Sequence, residues 1–243
     1  MRDLRRPKRG RSLSDAARQG LPTRLQGLGT PGGFGVNPFQ RGLGRYLDSG
    51  WAGFAASVTV GVIGAGGLGS NCAPHLVRSG FSTLILADPD RVEDSNLNRQ
   101  SFSLDQIGRP KVQALRDNLL AVNPDAAITI HETRVDESNI LTLFGSCQAV
   151  VEAVDDPRAK KRLVETMAAT GVFVVGASGL GGTGRTSRMA ARALGPNLVI
   201  VGDLTTPCDA ATPPLSPGVG MAAAMQADVI LHHFLTLYQG RTP

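Results

Sequence analysis

The chain contains a glycine-rich segment that follows directly on an apolar run. The run spans 58–63, and the next six residues are Gly-Ala-Gly-Gly-Leu-Gly. This order predicts a buried strand, a tight turn and a helix that begins near Ser70. In such a unit the first glycine permits the turn, the second lets a phosphate approach the backbone, and the third lets the helix pack against the strand. The helix N-terminus adds free N–H groups and a favourable dipole, so the segment predicts a nucleotide-phosphate site. The residues predicted to form it are Gly64, Gly66, Gly67, Leu68 and Gly69.

Beyond this turn, strand-like and helix-like segments alternate along the chain. Such alternation predicts parallel strands joined by helices on both faces of one sheet. The later part, 185–201, has β character without intervening helices; a Pro-rich loop over 205–217 and an apolar helix over 219–237 follow it. The sequence therefore predicts an α/β fold, a Rossmann-like, doubly wound and mainly parallel sheet with an antiparallel C-terminal extension. The predicted strands are 58–63, 83–87, 127–132, 148–153 and 172–176, and the predicted helices are 70–79, 111–122, 137–144 and 157–170.

The charge is distributed unevenly. The chain of 243 residues carries 25 Lys and Arg against 20 Asp and Glu, but ten of those cations and only three of the acids lie in the first 50 residues. Residues 1–37 are rich in Arg, Gly and Pro, which predicts a disordered basic leader, with the folded domain over 38–240. No aromatic side chains are interleaved with the cations over 5–11 to stack on bases, so nucleic-acid binding is not expected.

The cysteine content and the hydropathy of the chain bear on its cellular compartment and on structural zinc. Three widely spaced cysteines are typical of a reducing cytoplasm, and the absence of a C-x-x-C pair predicts no structural zinc. No apolar run approaches the roughly 18 residues that a membrane span requires, and the basic N-terminus lacks the apolar core of a secretory signal. We therefore expect a cytoplasmic protein that does not cross a membrane.

An acidic residue ends the second predicted strand. Asp88 lies nineteen residues after Gly69, where a carboxylate can accept hydrogen bonds from a ribose. The sequence Asp88-Pro89-Asp90 is also good turn chemistry, so a purely structural role is the alternative. The glycine-rich turn upstream favours the ribose.

A polar cluster and a lysine follow. Residues 96–100 supply amide and guanidinium groups, and Lys111 stands at the predicted N-terminus of a helix, where a cation opposes the helix dipole. A lysine in that position suggests an anionic partner. The guanidinium of Arg99, which can donate two parallel hydrogen bonds, and the ammonium of Lys111, which acts as a point charge, can together bind a triphosphate. Two solvated surface cations are the alternative.

Two aspartates follow the predicted strand 148–153. Because ligands of such folds bind at the carboxyl ends of the strands, these carboxylates should face the same crevice as the glycine turn. A carboxylate there can hold Mg²⁺ against phosphates, whereas an aspartate before a proline is also a good helix N-cap. We expect Asp155 to bind the metal and Asp156 to cap the helix that begins at Pro157.

The cysteines differ in their surroundings. Cys208 lies in the Pro-rich loop, where a nucleophilic or thioester role and an incidental role both remain open because no histidine is close in sequence. Cys72, inside the first predicted helix, and Cys147, just before a predicted buried strand, are expected in the core.

Several of these motifs occur together, in one order, in a known family. The chain resembles the ubiquitin-activating-enzyme-like adenylyltransferases, the group that includes ThiF, MoeB and HesA. The resemblance covers roughly 39–237 and is closest to the short ThiF-like sulfur carrier protein adenylyltransferases. It is carried by the glycine turn, Asp88, Ser95-Asn96-Leu97-Asn98-Arg99-Gln100, Gly108-Arg109-Pro110-Lys111-Val112, Asn123-Pro124, 152–156 and 222–227.

The resemblance implies an enzyme that uses ATP and Mg²⁺ to adenylylate the C-terminal glycine of a small ubiquitin-like sulfur carrier ending in Gly-Gly. It implies that Asp88 binds ribose, that Asp155 holds Mg²⁺, and that Arg45 reaches the ATP of the partner in a homodimer. It also places a loop cysteine near Cys208. The residues implied to bind the phosphates are Asn96, Arg99, Gln100 and Lys111.

The pathway stays open among related reactions. Thiamine thiazole synthesis is the first interpretation; molybdopterin-carrier activation and ATP-dependent dehydration of a modified tRNA base use the same scaffold. An NAD-dependent dehydrogenase accounts for the glycine turn and Asp88 but leaves Arg99, Lys111 and Asp155 without a role.

Overall fold

The protein, a computed structural model described over residues 37–48 and 50–241, has a seven-stranded sheet at its centre. The strand order is β3-β2-β1-β4-β5-β7-β6, and every pairing is parallel except that of β6 with β7. The predicted fold class is therefore confirmed, including the antiparallel C-terminal extension. The strands are β1 Thr59–Ile63, β2 Thr83–Ala87, β3 Ala127–His131, β4 Ala149–Glu152, β5 Phe173–Ala177, β6 Ala190–Gly195 and β7 Leu198–Gly202.

The helices pack on both faces of the sheet. Buried side chains of β4 alternate: Ala149 and Val151 face the hydrophobic cluster that contains α3, α4 and α7, whereas Val150 faces a second cluster that contains α5 and α6. This period of two is what a doubly wound sheet requires. The helices are α1 Pro38–Leu43, α2 Trp51–Ala56, α3 Gly67–Arg78, α4 Lys111–Val122, α5 Ile140–Phe144, α6 Pro157–Ala168 and α7 Ser216–Arg241.

Several boundaries differ from those predicted. Helix α3 begins at Gly67 rather than near Ser70, because the glycines of the turn already adopt helical backbone geometry after Gly66. Helix α5 occupies only the end of the predicted 137–144, and α7 is longer than predicted at both ends. The predicted leader, 1–37, lies outside the described residues apart from Asn37.

Helix α1 was not predicted, and it begins with a capping box. The Asn37 side chain accepts from the Gln40 N–H (2.8 Å), and the Gln40 side chain accepts from the Asn37 N–H (3.1 Å). Asn37 also donates to the side chain of Asn123 at the end of α4 (2.9 Å). A six-residue helix is stable here because these contacts and Pro38 at its first turn fix its start.

The long helix α7 covers the face that carries α3. Tyr238 near its end donates to Asp48 and packs against Trp51 and Phe54 of α2, which ties the first described segment to the last. None of the described helices combines the length and apolar composition needed to cross a bilayer. The packing leaves the carboxyl ends of the parallel strands open, and the candidate site lies there.

Candidate functional site

A cleft of about 1130 Å³ opens at the carboxyl ends of β1, β2, β4 and β5. It brings together residues that are far apart in the sequence, from Ile63 to Val219. Two of the predicted site residues do not line it: Gly69 lies beneath the turn, and Arg45 is exposed in the segment after α1. The predicted residues that do line it are Gly64, Gly66, Gly67, Leu68, Asp88, Asn96, Arg99, Gln100, Lys111, Asp155 and Cys208.

Two glycines of the turn are sterically required, and a third leaves open space above its backbone. Gly64 has φ +96°, and a Cβ there would lie 2.7 Å from the carbonyl oxygen of Ala153. A Cβ on Gly69 would overlap the carbonyl of Gly64, so only glycine permits this approach of α3 to the turn. At Gly66 the nearest atom to a Cβ would be Gln100 Nε2, at 3.9 Å, which leaves space over the backbone at the start of α3 for a phosphate.

Asp88 joins the second strand to the glycine turn. The residue is 6% exposed; one carboxylate oxygen accepts from the Ala65 N–H (2.6 Å) and the other from the Asp90 N–H (2.8 Å). Burial raises the pKa of this carboxyl, and the two backbone hydrogen bonds oppose that rise. Asp88 therefore has the structural role in the turn that the sequence gives as the alternative to ribose binding. A carboxylate has about four acceptor sites, so the remaining ones can accept from a ribose on the cleft side.

Lys111 does not sit as a solvated surface cation. Its side chain is 8% exposed, and Nζ lies 2.9 Å from a carboxylate oxygen of Asp90. The anionic partner that a lysine at a helix N-terminus suggests is thus supplied, at least in part, by the chain itself. Asp90 is 60% exposed, so its carboxylate can turn toward water when a phosphate approaches the ammonium.

The polar cluster at 96–100 is fixed to the first turns of α3. Asn71 donates to the carbonyls of Gly67 (2.6 Å) and Arg99 (2.8 Å), and the Ser70 hydroxyl accepts from the Ser101 N–H (3.0 Å). Asn71 was missed from the sequence because only the fold places it opposite Arg99. The Arg99 guanidinium itself uses Nη1 within its own turn, toward Asn98 Oδ1 (2.8 Å) and the Ser95 carbonyl (3.1 Å).

Two members of the cluster are buried. Asn96 accepts from the Glu93 N–H (3.1 Å) and so shapes the turn. Gln100 is 8% exposed, and its Oε1 has no hydrogen-bond partner among the described residues. A phosphate cannot donate to this oxygen, but a ligand hydroxyl or amine can, while the amide nitrogen can donate to a phosphate. An unpartnered buried acceptor beside the space over Gly66 fits a nucleotide.

Of the two aspartates after β4, the second caps the next helix, as the sequence predicts. Asp156 caps α6 by accepting from the Ala159 N–H (2.7 Å). Asp155 is exposed, lines the cleft and makes no side-chain hydrogen bond to the described residues. No cluster of three metal-ligating side chains occurs in the described part of the chain. One carboxylate fits a Mg²⁺ whose coordination is completed by phosphates and water.

A partly buried ion pair at the cleft was not predicted. Glu152, the last residue of β4, is 1% exposed, and its carboxylate lies 2.7 Å from Lys160 Nζ in the first turn of α6. Lys160 lines the cleft and also donates to the Ala177 carbonyl at the end of β5 (3.0 Å). Burial raises the pKa of Glu152, and Lys160 opposes the rise. An acid inside the run Val-Val-Glu-Ala-Val was the signal available in the sequence.

Cys208 is exposed at the edge of the same cleft, whereas Cys72 and Cys147 are buried as expected. The protein surrounding its sulfur raises the pKa of the Cys208 thiol, and the Leu180 backbone and Lys160 only partly oppose this. The thiol is therefore not activated as a thiolate in this arrangement.

The sequence of the described domain identifies its family. Residues 53–241, well over half of the chain, match the ThiF family. The chain belongs to the ThiF family. The match begins in α2 and ends with α7, so the whole seven-stranded sheet and its cleft lie within the ThiF-family region.

Curated relatives match part of the chain. The chain is 28% identical over 183 residues to "Adenylyltransferase and sulfurtransferase UBA4" of Saccharomyces cerevisiae, a match that takes in 73% of this chain and 42% of that protein. It is 38% identical over 96 residues to "Probable adenylyltransferase/sulfurtransferase MoeZ" of Mycobacterium tuberculosis, or 39% of this chain and 24% of that protein. The chain therefore spans less than half the length of these relatives.

Solved structures share the fold. The tRNA N6-threonylcarbamoyladenosine dehydratase TcdA of E. coli, in complex with ATP, superposes with a TM-score of 0.78 at 18% identity and covers 86% of this chain and 100% of that one. E. coli MccB with ATP superposes with a TM-score of 0.62 at 19% identity, covering 84% of this chain and 66% of that one. At these identities the likeness establishes the fold.

Proposed function

We propose that this chain is an adenylyltransferase that binds ATP with Mg²⁺ and activates a carboxylate. The carboxylate oxygen attacks the α-phosphorus, the bond from that phosphorus to the pyrophosphate oxygen breaks, and an acyl-adenylate and pyrophosphate form. The observation that carries the proposal is the convergence of the glycine turn, Arg99, Lys111 and Asp155 in one cleft at the strand ends. A redox enzyme would need the glycine turn and Asp88 but not the other three.

The chemistry assigned to these residues is electrostatic. The carboxylate is already a nucleophile and needs no general base. Arg99 and Lys111 stabilise the charge that grows on the α-phosphate and on the leaving pyrophosphate, and Gly66 leaves its backbone open to the phosphates. When bound, Mg²⁺ neutralises phosphate charge and acts as a Lewis acid; Asp155 is the residue that would hold it.

The substrate that we assign is the C-terminal glycine of a small ubiquitin-like sulfur carrier, of the ThiS type that serves thiamine thiazole synthesis. Support comes from the names of the curated relatives, which pair adenylyl transfer with sulfur transfer, and from the motifs Leu76-Val77-Arg78-Ser79-Gly80, Ala177-Ser178-Gly179-Leu180 and Val201-Gly202-Asp203. We assign the chain to the cytoplasm and to a homodimer in which Arg45 of one subunit reaches the ATP of the other.

Two other carboxylate substrates use the same chemistry. One is the terminal glycine of a molybdopterin carrier. The other is a carboxylate on a modified tRNA base, which two exposed cations at the cleft favour: Arg134 and Arg158 make no side-chain contact with an acid among the described residues. An RNA backbone would supply the counter-charge for such cations.

The test is ATP–pyrophosphate exchange with three substrates in parallel. We expect exchange with a purified ThiS-type carrier and none with the same carrier lacking its terminal glycine. Exchange with a molybdopterin carrier alone, or ATP consumption with modified tRNA alone, would move the assignment to that substrate. A protein that binds ATP but gives no exchange or ATP consumption with any of them would refute adenylyl transfer.

A further inference from the structure

Among the described residues, only the backbone of its own segment orients the exposed carboxylate of Asp155. No side-chain hydrogen bond reaches it from the described residues, yet a metal ligand must be held in one place to bind. Its backbone is anchored on both sides. Val154, before it, donates its N–H to Glu152 Oε1 (2.8 Å), and Asp156, after it, is the N-cap of α6.

One ion pair connects these two anchors. Glu152 holds Val154 with one carboxylate oxygen and Lys160 of α6 with the other (2.7 Å). Lys160 in turn donates to the carbonyl of Ala177 (3.0 Å). The end of β4, the start of α6 and the end of β5 therefore meet at this pair, and the first two of these flank Asp155.

The pair is also continuous with the phosphate-binding turn. The carbonyl of Ala153, next to Glu152, packs against Gly64 where any Cβ would be too close. Gly176 makes room for the pair from the other side, because a Cβ there would lie 3.2 Å from Glu152 Oε2. Glu152 is 1% exposed and Lys160 is 23% exposed. An ion pair with a buried member seldom adds stability over apolar residues of similar volume, so stability alone does not account for this one.

We propose that Glu152 and Lys160 are positioning residues that hold the Val154–Asp156 segment so that the Asp155 carboxylate can bind the metal of Mg²⁺·ATP. The proposal rests on the function proposed above. It predicts that the pair controls the coupling between Mg²⁺ and ATP and has little effect on ATP bound without metal, since Arg99 and Lys111 lie on other elements.

The experiment measures ATP affinity by calorimetry in Mg²⁺ and in EDTA, and the thermal midpoint of each protein. The ratio of ATP affinity in Mg²⁺ to ATP affinity in EDTA is the Mg²⁺ enhancement, and its loss in Asp155→Asn is the reference. Lys160→Met should reduce that enhancement about tenfold while ATP affinity in EDTA stays within about twofold of wild type. Lys161→Met is the matched control: this neighbouring lysine is 75% exposed, faces Glu165 and does not line the cleft.

A double variant separates positioning from stability. Lys160→Met leaves a buried carboxylate unpaired and should lower the thermal midpoint, whereas Glu152→Met with Lys160→Met removes both charges and should restore most of it. We expect the double variant to recover the midpoint but not the Mg²⁺ enhancement, because Val154 has lost its acceptor.

Three results would overturn the proposal. They are recovery of the Mg²⁺ enhancement in the double variant, an unchanged enhancement in Lys160→Met, and an unchanged enhancement in Asp155→Asn. Any of these in a protein that still catalyses pyrophosphate exchange refutes the positioning role alone. A wild-type protein that neither binds ATP nor catalyses exchange refutes the proposed function as well.

Discussion

Two glycines of the same turn should give opposite results when each is changed to alanine. In Gly69→Ala the new methyl group meets the Gly64 carbonyl and lies 3.0 Å from Val62 Cγ1. Because the clash is largely with backbone, no side-chain rotation relieves it. Overpacking of this kind costs about 3 kcal/mol, and in a domain of this size each kcal/mol lowers the thermal midpoint by about 2–4 °C. We expect a midpoint lower by about 6–12 °C.

Gly66→Ala should leave folding intact and impair binding. Its φ of −81° lies outside the left-handed region that favours glycine, and the nearest atom to the new methyl group lies 3.9 Å away. The stability should change by less than about 1 kcal/mol. The methyl group would occupy the space where the phosphate approaches. Losing one charge-assisted hydrogen bond, worth about 1.5–3 kcal/mol, should weaken ATP binding about 10- to 150-fold.

Thermal melting by circular dichroism and calorimetric titration with Mg²⁺·ATP measure both effects on the same samples. The expected outcome is a folded Gly66→Ala protein with poor ATP binding and a destabilised Gly69→Ala protein. A Gly66→Ala protein that binds ATP like wild type would show that phosphates do not approach this backbone. Equal destabilisation by both substitutions would refute the steric argument.

Three further outcomes follow from the site. Arg99→Ala and Lys111→Ala should each lower the exchange rate about 10- to 100-fold at saturating ATP. The control Arg116→Ala, on the exposed side of α4, should not. Unchanged rates would remove Arg99 and Lys111 from the site. Cys208→Ser should leave the exchange rate within about twofold of wild type. Alkylation of Cys208 at pH 7 should be slower than that of free cysteine and should rise with pH, because its raised pKa leaves little thiolate at neutrality. Faster alkylation would contradict that raised pKa. Mixing Arg45→Ala with Arg99→Ala subunits should restore part of the exchange that each lacks alone if Arg45 acts across a homodimer, and no restoration would argue against that role.

The parts of the fold that the sequence predicts are those encoded locally. The strands of the parallel sheet are apolar runs, and the turn at Gly64 can be recognised in the sequence because its glycines are close together. Asp156 before Pro157 is an N-cap in sequence and in structure. In each case the residues that decide the conformation lie within a few positions of one another, so no knowledge of tertiary contacts is needed.

The parts that the sequence does not predict depend on residues that meet only after folding. Asp90 is far from Lys111 along the chain, and only their approach at the ends of β2 and α4 reveals that the lysine already has an anionic partner. Glu152 and Lys160 each look unremarkable in isolation as a strand acid and a helix cation. Their pairing is visible only when β4 and α6 are placed side by side.

The charges around the cleft give the metal a larger part than the sequence suggests. Lys111 already faces a carboxylate, and Arg99 shares one guanidinium nitrogen with its own turn. These two cations therefore offer less net positive charge to a triphosphate than their number implies, whereas the Asp155 carboxylate, which makes no ion pair with the described residues, adds a negative charge to the same space. A metal-free triphosphate would be repelled by that carboxylate, but a triphosphate carrying Mg²⁺ would be attracted to it. We therefore propose that the site favours ATP that carries its metal and that Asp155 is the residue that recognises the two together.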